Sequence, residues 1–301
     1  MTHARGVLLL LSLLTPTVSC RETPEARAAE LRGVQRTRKH QLEQRLAKAD
    51  ANPGKAAPVA MWYLPSELKE ISGLALTKDG RLLTHDDNVG RIYEIDPKSG
   101  IVLNEFTLGI GVQGDFESIA IANDEIFLLN SNGVLYRFKE GKEGAGVPFT
   151  FVDLRLGRAC EFESMAYQAD SAWLVMPCKR STDKKTQDNL VIYRWRLQGP
   201  DSARLSTMNV PLAEITSRTG WKGFHPSDMT IDPETGNYVI ISSHENGLVE
   251  MTPAGVVERA QRLPGDHGQP EGVAITKDRI LIISDEATKK PASITLYRWR
   301  P

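Results

Sequence analysis

The chain is poor in the features that would name its chemistry outright. Lysine and arginine number 37 against 38 aspartates and glutamates, a net charge of −1, so composition provides no basic surface for nucleic acid. It contains no Gly-rich phosphate loop, no Gly-x-Ser-x-Gly elbow and no His-Glu-x-x-His. With them go the usual sequence signs of nucleotide binding, serine hydrolysis and zinc peptidase chemistry. There are only 3 cysteines, and nothing sets Cys160 or Cys178 beside a histidine as a nucleophile. No long apolar run is present either: Val7–Leu14 is broken by Ser12 and is too short to cross a bilayer.

That short run has another use. It follows a polar head, Met1–Arg5, and ends in Thr17-Val18-Ser19-Cys20. This layout is that of a secretory signal, and its end is similar to the bacterial lipobox, with Thr17 where Leu is usual. Residues 1–19 therefore read as a lipoprotein signal peptide and Cys20 as the lipidated first residue of the mature protein. Acyl chains would hold the protein to a membrane in the bacterial cell envelope, facing the periplasm or the outside, without a spanning helix. The other reading is ordinary signal cleavage leaving a free thiol. Residues 20–56 continue as a stalk, helical or disordered, with a thin stripe of Leu31, Val34, Leu42 and Leu46 and a basic run, Arg36–His40. Asn52-Pro53-Gly54 stops it.

From residue 57 to 301 the pattern changes to short strands separated by turn residues. A phrase recurs: Phe116-Glu117-Ser118-Ile119-Ala120 and Phe162-Glu163-Ser164-Met165-Ala166, with looser copies at Glu70–Ala75, Ser227–Ile231 and Glu271–Ile275. The acidic positions 70, 117, 163, 228 and 271 are spaced by 47, 46, 65 and 43 residues. Such a period means a repeat architecture, here four strands per unit and five units, hence an all-β five-bladed β-propeller with six blades as the alternative. The long step is accounted for by two insertions, Lys179–Asn189 and the loop Leu212–Phe224. The last unit, ending at Ser293–Trp299, is one strand short. Pro58–Leu64 has no partner of its own, and pairing the two would close the ring.

Ring closure would bring Glu70, Glu117, Glu163, Asp228 and Glu271 to one mouth of the central channel. Second-to-third-strand loops would add Asp86, Asp87, Asn88, Asn130, His244, Glu245, Asp285 and Glu286, with His85, His225 and His267 on the same face. Carboxylates that close cannot all remain ionised without relief. Protons, partners such as Lys222, Arg158 or Arg180, or a hard cation such as Ca²⁺ would each provide it. Zinc would need the histidines to converge, and their spacing matches no known site. Across a blade-three hairpin turning at Ala169-Asp170, position 160 faces 179, so Cys160 and Cys178 are near-neighbours and a disulfide fits an exported protein. Two buried free thiols are the alternative. Third-strand aromatics (Tyr93, Tyr136, Tyr193, Trp195, Tyr297, Trp299) read as packing between blades, and Gly73 and Gly272 as room for backbones to crowd the axis.

Glu70-Ile71-Ser72-Gly73-Leu74-Ala75, the two Phe-Glu-Ser-x-Ala copies, His225-Pro226-Ser227-Asp228 and Pro270-Glu271-Gly272-Val273-Ala274 together resemble the SdiA-regulated, YjiK-like propellers. The resemblance runs from about Val59 to the C-terminus and implies an exported or envelope-attached propeller with a carboxylate-lined face. More distantly, the acidic strand starts are similar to those of calcium-dependent lactonase and esterase-like phytase propellers, which hydrolyse esters with a central Ca²⁺.

Two functions follow as expectations, beside a structural reading in which the propeller is an envelope scaffold whose stalk sets its reach. One is a binding module whose acidic, Ca²⁺-accepting face receives a small molecule or envelope protein. The other is a metal-dependent ester or phosphoester hydrolase with a channel cation and a base among His85, His225, His244 and His267.

Overall fold

The computed structural model describes residues 24–53, 57–200 and 204–300. Cys20 and the expected signal peptide lie outside the described residues. The rest is a five-bladed β-propeller. Blade one is Ile71–Leu76, Leu82–Asp86, Arg91–Asp96 and Ile101–Leu108, with Gly146–Val147 added in parallel at its outer edge. Blade two is Phe116–Ala122, Glu125–Asn130, Val134–Phe138 and Phe149–Asp153. In blade three the innermost strand is broken into Cys160–Phe162 and Ala166–Gln168. Trp173–Ser181, Asn189–Arg196 and Leu205–Pro211 follow it. Blade four is Asp228–Ile231, Tyr238–Ser242, Gly247–Met251 and Val257–Arg262.

Blade five is closed from both ends of the chain. Pro270–Ile275, Ile280–Asp285 and Ser293–Arg298 take Pro58–Tyr63 as the outermost strand, antiparallel, with Tyr63 opposite Ser293. The edge left by the last repeat is thereby paired.

Side chains alternate between the faces of a strand, and in a propeller each face meets a neighbouring blade. Tyr238 and Ile240 face blade three while Val239 and Ile241 face blade five, so the whole strand is buried. The result is five separate hydrophobic clusters, one at each blade interface. Third-strand aromatics enter three of them: Tyr93, Tyr193, Trp195 and Tyr297, with Trp299 just past its strand, are buried there, while Tyr136 packs half-buried against a fourth.

Three local expectations are corrected. The segment 212–224 is not all loop: Ala213–Thr219 is helical and ends at Gly220, whose φ of 75° suits a left-handed cap. The blade-three hairpin loop is two residues longer than expected, 169–172 with Ala172 at φ 55°, so Cys160 faces Ser181. A bulge at Lys179, which the ladder skips, then sets Phe162 opposite Cys178, and the Cys160–Cys178 disulfide forms all the same, Cα atoms 5.7 Å apart. His85 belongs to a strand rather than a loop and is fully buried.

The stalk's helix, Pro24–Ala51, is present and stops where Asn52-Pro53 requires. Its second half lies against the propeller instead of standing free. Leu42 is buried among blades five and one, with Leu46 and Ala49 beside it. Arg38 donates to the Ser99 carbonyl and stacks 5.0 Å over Trp62, and Lys39 pairs with Asp96 at 3.1 Å. The basic run thus serves as a clasp.

Candidate functional site

The acidic phrase does not hold one structural position in all five blades. In blades one, two, four and five, Leu74, Ile119, Met229 and Val273 pair with Thr84, Leu128, Ile240 and Ile283. Each partner lies two residues before the end of its second strand. Counting back two residues from this common point gives Ser72, Glu117, Ser227 and Glu271. Blade three matches in sequence with Glu163 two before Met165. Glu117, Glu163 and Glu271 are therefore equivalent, while serines replace glutamate in blades one and four. Glu70 lies two residues outside the frame and Asp228 one residue inside it.

One residue of phase turns a side chain to the other face of a strand. Asp228 accordingly points into the axis and is fully buried. Its Oδ2 accepts from the Leu74 and Val273 backbone N–H groups at 3.2 and 2.7 Å, and its Oδ1 from the Ser118 hydroxyl at 3.1 Å. The Ser118 oxygen in turn accepts from the Met165 N–H at 2.9 Å. Through these two side chains all five blades are tied together. Burial pushes the Asp228 carboxyl up to about 8, against the pull of those donors. Gly73 and Gly272 flank this knot: a Cβ on Gly73 would meet His85 at 2.9 Å, and one on Gly272 would meet Ser284 at 2.2 Å.

The equivalent glutamates go to the mouth. In blades two and five the ladder skips Glu117 and Glu271, each the extra residue of a bulge. A bulge re-aims its side chain, here towards the other carboxylates. Burial, followed by repulsion from Glu163 and Asp115, pushes Glu117 up to about 9. Burial, then Glu163 and Glu286, takes Glu271 to about 8. Glu286 rises to about 7 through burial and the charges of Asp87 and Glu70. Asp87 also rises to about 7, through burial and Glu70. Glu70 itself goes down, because Lys69 and the Asn88 amide donate to it at 3.0 and 2.8 Å at the rim.

Inward of the rim pair Lys69–Glu70, the cation that faces the glutamates among the described residues is Lys179, from the second strand of blade three, and it pairs with Glu163. Burial alone would lower its pKa, but Glu163 and Glu271 more than offset that, and it is raised. Arg180, expected as a partner, pairs outside with Glu161 at 3.4 Å. Glu163, paired as it is, still stands near 7 because burial dominates. One ammonium thus faces Glu117, Glu163, Glu271 and Glu286. The donor set is oxygen throughout, which suits a hard cation. At the channel's other end lies a cavity of about 530 Å³, lined by strand ends including Leu76, Ile121, Tyr167 and Ile231 and by the turn residue Asp278.

The histidines divide into two kinds. His85 is sealed in the core, its Nδ1 3.1 Å from the Asp86 carbonyl, and burial pushes it down to about 4, so it stays neutral. His267 is buried between Asp285 (2.6 Å) and the Tyr297 hydroxyl (3.0 Å) and rivets blade five. His225 and His244 reach solvent and converge on Glu245, a convergence the sequence reading did not expect.

No family model matches the chain, and no curated protein matches it in sequence. Solved structures share its shape. The Myxococcus xanthus glutaminyl cyclase superposes with a TM-score of 0.54 at 12% identity, covering 80% of this chain and 95% of that one. The PQQ-bound aldose sugar dehydrogenase of Streptomyces coelicolor gives 0.51 at 14% identity, covering 80% and 99%. A luciferin-regenerating enzyme gives 0.51 at 10% identity, covering 80% and 95%. At such identities the likeness is one of fold alone: this chain is built like those β-propellers.

Proposed function

We propose that this chain is a lipid-anchored envelope propeller of the SdiA-regulated type whose acidic mouth binds a cationic group. That group is either a hard divalent cation, Ca²⁺ foremost, or the ammonium of a small molecule or envelope protein. The observation that carries the reading is the imbalance at the mouth: Glu117, Glu163, Glu271 and Glu286 share one lysine, and all four are held above the usual carboxylate range. A bound cation relieves that repulsion directly. Among the described residues no three of these carboxylates stand close enough together to hold an ion as they lie; Ca²⁺ would draw Glu117, Glu163, Glu271 and Glu286 inward and supply the positive charge that Lys179 now provides in part. The Cys160–Cys178 disulfide suits an oxidising compartment, in keeping with export and lipidation at Cys20. The mouth's charge disfavours nucleic acid.

The similar structures are mostly enzymes, but fold carries no activity by itself. The hydrolase reading remains as an outcome of the test. Purified mature protein is titrated with Ca²⁺ by calorimetry at pH 8, alongside Glu117→Gln, Glu271→Gln and Lys179→Met variants, with ester and phosphoester hydrolysis followed in parallel. Expected are Ca²⁺ binding that weakens in the glutamine variants, strengthens in Lys179→Met, and no hydrolysis. Calcium-dependent hydrolysis would establish the enzyme instead. Absence of binding, or binding indifferent to all three variants, would remove the mouth as the site.

A further inference from the structure

We propose a second, separate site: His225, His244 and Glu245 bind a divalent transition metal of the zinc class with one coordination position open. These three residues come from one blade. His225 precedes the innermost strand of blade four, and His244 and Glu245 form the tight turn after its second strand. That turn is held at both ends. The Glu245 N–H donates to the Ser242 hydroxyl at 3.2 Å, and the Asn246 amide donates to the His267 carbonyl at 3.0 Å.

The carboxylate is prepared as a ligand. The Glu245 side chain is 5% exposed, and its Oε2 accepts from the Ser242 hydroxyl and, at 3.0 Å, from the His225 backbone N–H. Oε1 is thereby turned to the imidazoles, 2.9 Å from His225 Nδ1 and 2.8 Å from His244 Nδ1. Donors fixing the far oxygen are what a metal-binding carboxylate needs to keep its orientation. The three ligand atoms lie within 4.8 Å of one another. A tetrahedral zinc site with bonds near 2.0–2.1 Å separates its ligand atoms by roughly 3.3 Å. The closure required falls on His244, whose side chain is 75% exposed and has room to turn.

Without metal, each Nδ1–H donates its proton to Oε1. A divalent ion bound at the two Nδ1 atoms and at Oε1 would take the place of those hydrogens, each imidazole carrying its proton on Nε2 instead and the carboxylate staying ionised. Two imidazoles with one carboxylate select zinc-class ions over Ca²⁺, which takes oxygen donors. Of the three ligands His225 borders a cavity of about 120 Å³, lined also by Lys179 and Cys178, with room for water or a small molecule's oxygen. The site is thus adjacent to the acidic mouth and chemically distinct from it.

Chelator-stripped mature protein is titrated with CoCl₂, followed by visible absorption, and then with ZnCl₂ and CaCl₂ as competitors. Expected is one equivalent of Co²⁺ with the intense visible bands of a low-symmetry four- or five-coordinate ion, displaced by Zn²⁺ and untouched by excess Ca²⁺. Because His244 is exposed, His244→Ala keeps the fold, checked by an unchanged Tm, and is expected to weaken binding roughly tenfold or more. Glu117→Gln with Glu271→Gln is expected to leave Co²⁺ binding unchanged while Ca²⁺ binding at the mouth weakens, so the two sites fail separately. No bound Co²⁺, binding unaltered in His244→Ala, or binding lost to Ca²⁺ or to the mouth variants would overturn the proposal.

Discussion

Asp228 and Glu117 are both carboxylates at the start of an innermost strand, both buried enough to be raised well above the usual range, and they do opposite things. Asp228, one residue further along the strand, is turned inward and met by two backbone N–H groups and a serine hydroxyl. Glu117, at the bulge, is turned out among Glu163, Asp115 and Glu271, where its neighbours repel it. The lesson is that a raised pKa marks burial in both cases. Whether the group fastens the fold or awaits a ligand is decided by the donors around it.

The comparison breaks most visibly at Asp228. Asp228→Ala leaves the Leu74 and Val273 N–H groups and the Ser118 hydroxyl without their acceptor at the axis. The expected cost is about 3–5 kcal/mol, a fall in Tm of roughly 10 °C by calorimetry. An unchanged Tm would mean the axis is held by something else. Next in size is the disulfide. Reducing Cys160–Cys178 is expected to cost about 2–4 kcal/mol. It should also loosen the mouth's Glu163–Lys179 strand ahead of the hub, seen as faster amide exchange at residues 174–181 than at 228–231. Equal exchange in both segments would separate the disulfide from the mouth.

The smallest effect has the opposite sign. Glu117→Gln removes a carboxyl that must take up a proton to fold at pH 8 and is expected to stabilise the protein on the order of 1 kcal/mol at that pH. The pH dependence follows from the same shifts. Glu117, Glu163, Glu271, Glu286 and Asp87 have folded pKa values above their unfolded ones, between about 7 and 9. Their stabilising contribution is complete below about pH 4 and is lost as pH rises towards 9. Asp96, Asp232 and Glu245 are lowered, so theirs is lost at the acid end. Tm is expected to peak near pH 5 and fall towards pH 9, less steeply in Glu117→Gln; a Tm flat over that range would contradict it.

Much of the fold was legible in the chain. The recurring phrase and its turns carry the blade number, and the unpaired Pro58–Tyr63 carries the closure. The site was legible in part, and the reason lies in register. Glu70, Glu117, Glu163, Asp228 and Glu271 look alike in sequence, yet the position of Asp228 is set by which residue faces Ile240, a fact of pairing. Lys179 was hidden because it sits in a segment that reads as the start of an insertion, whereas the strand Trp173–Ser181 runs nine residues and carries it to the mouth. The docking of the helix was equally hidden: a thin apolar stripe and a basic run read the same whether solvated or clasped to Trp62 and Asp96. The histidine pair could have been found. Asp228 faces Ile241, and continuing that register outward sets position 225 opposite 244.

The most direct measurement is a ¹³C carboxyl NMR titration of the mouth in cation-free protein, assigned with the Glu117→Gln and Glu271→Gln variants. Midpoints near 9 for Glu117 and near 8 for Glu271, moving down when Ca²⁺ is added, are the expected result. Midpoints near 4–5 that ignore Ca²⁺ would mean the glutamates do not crowd one another, and the cation-binding mouth would be contradicted.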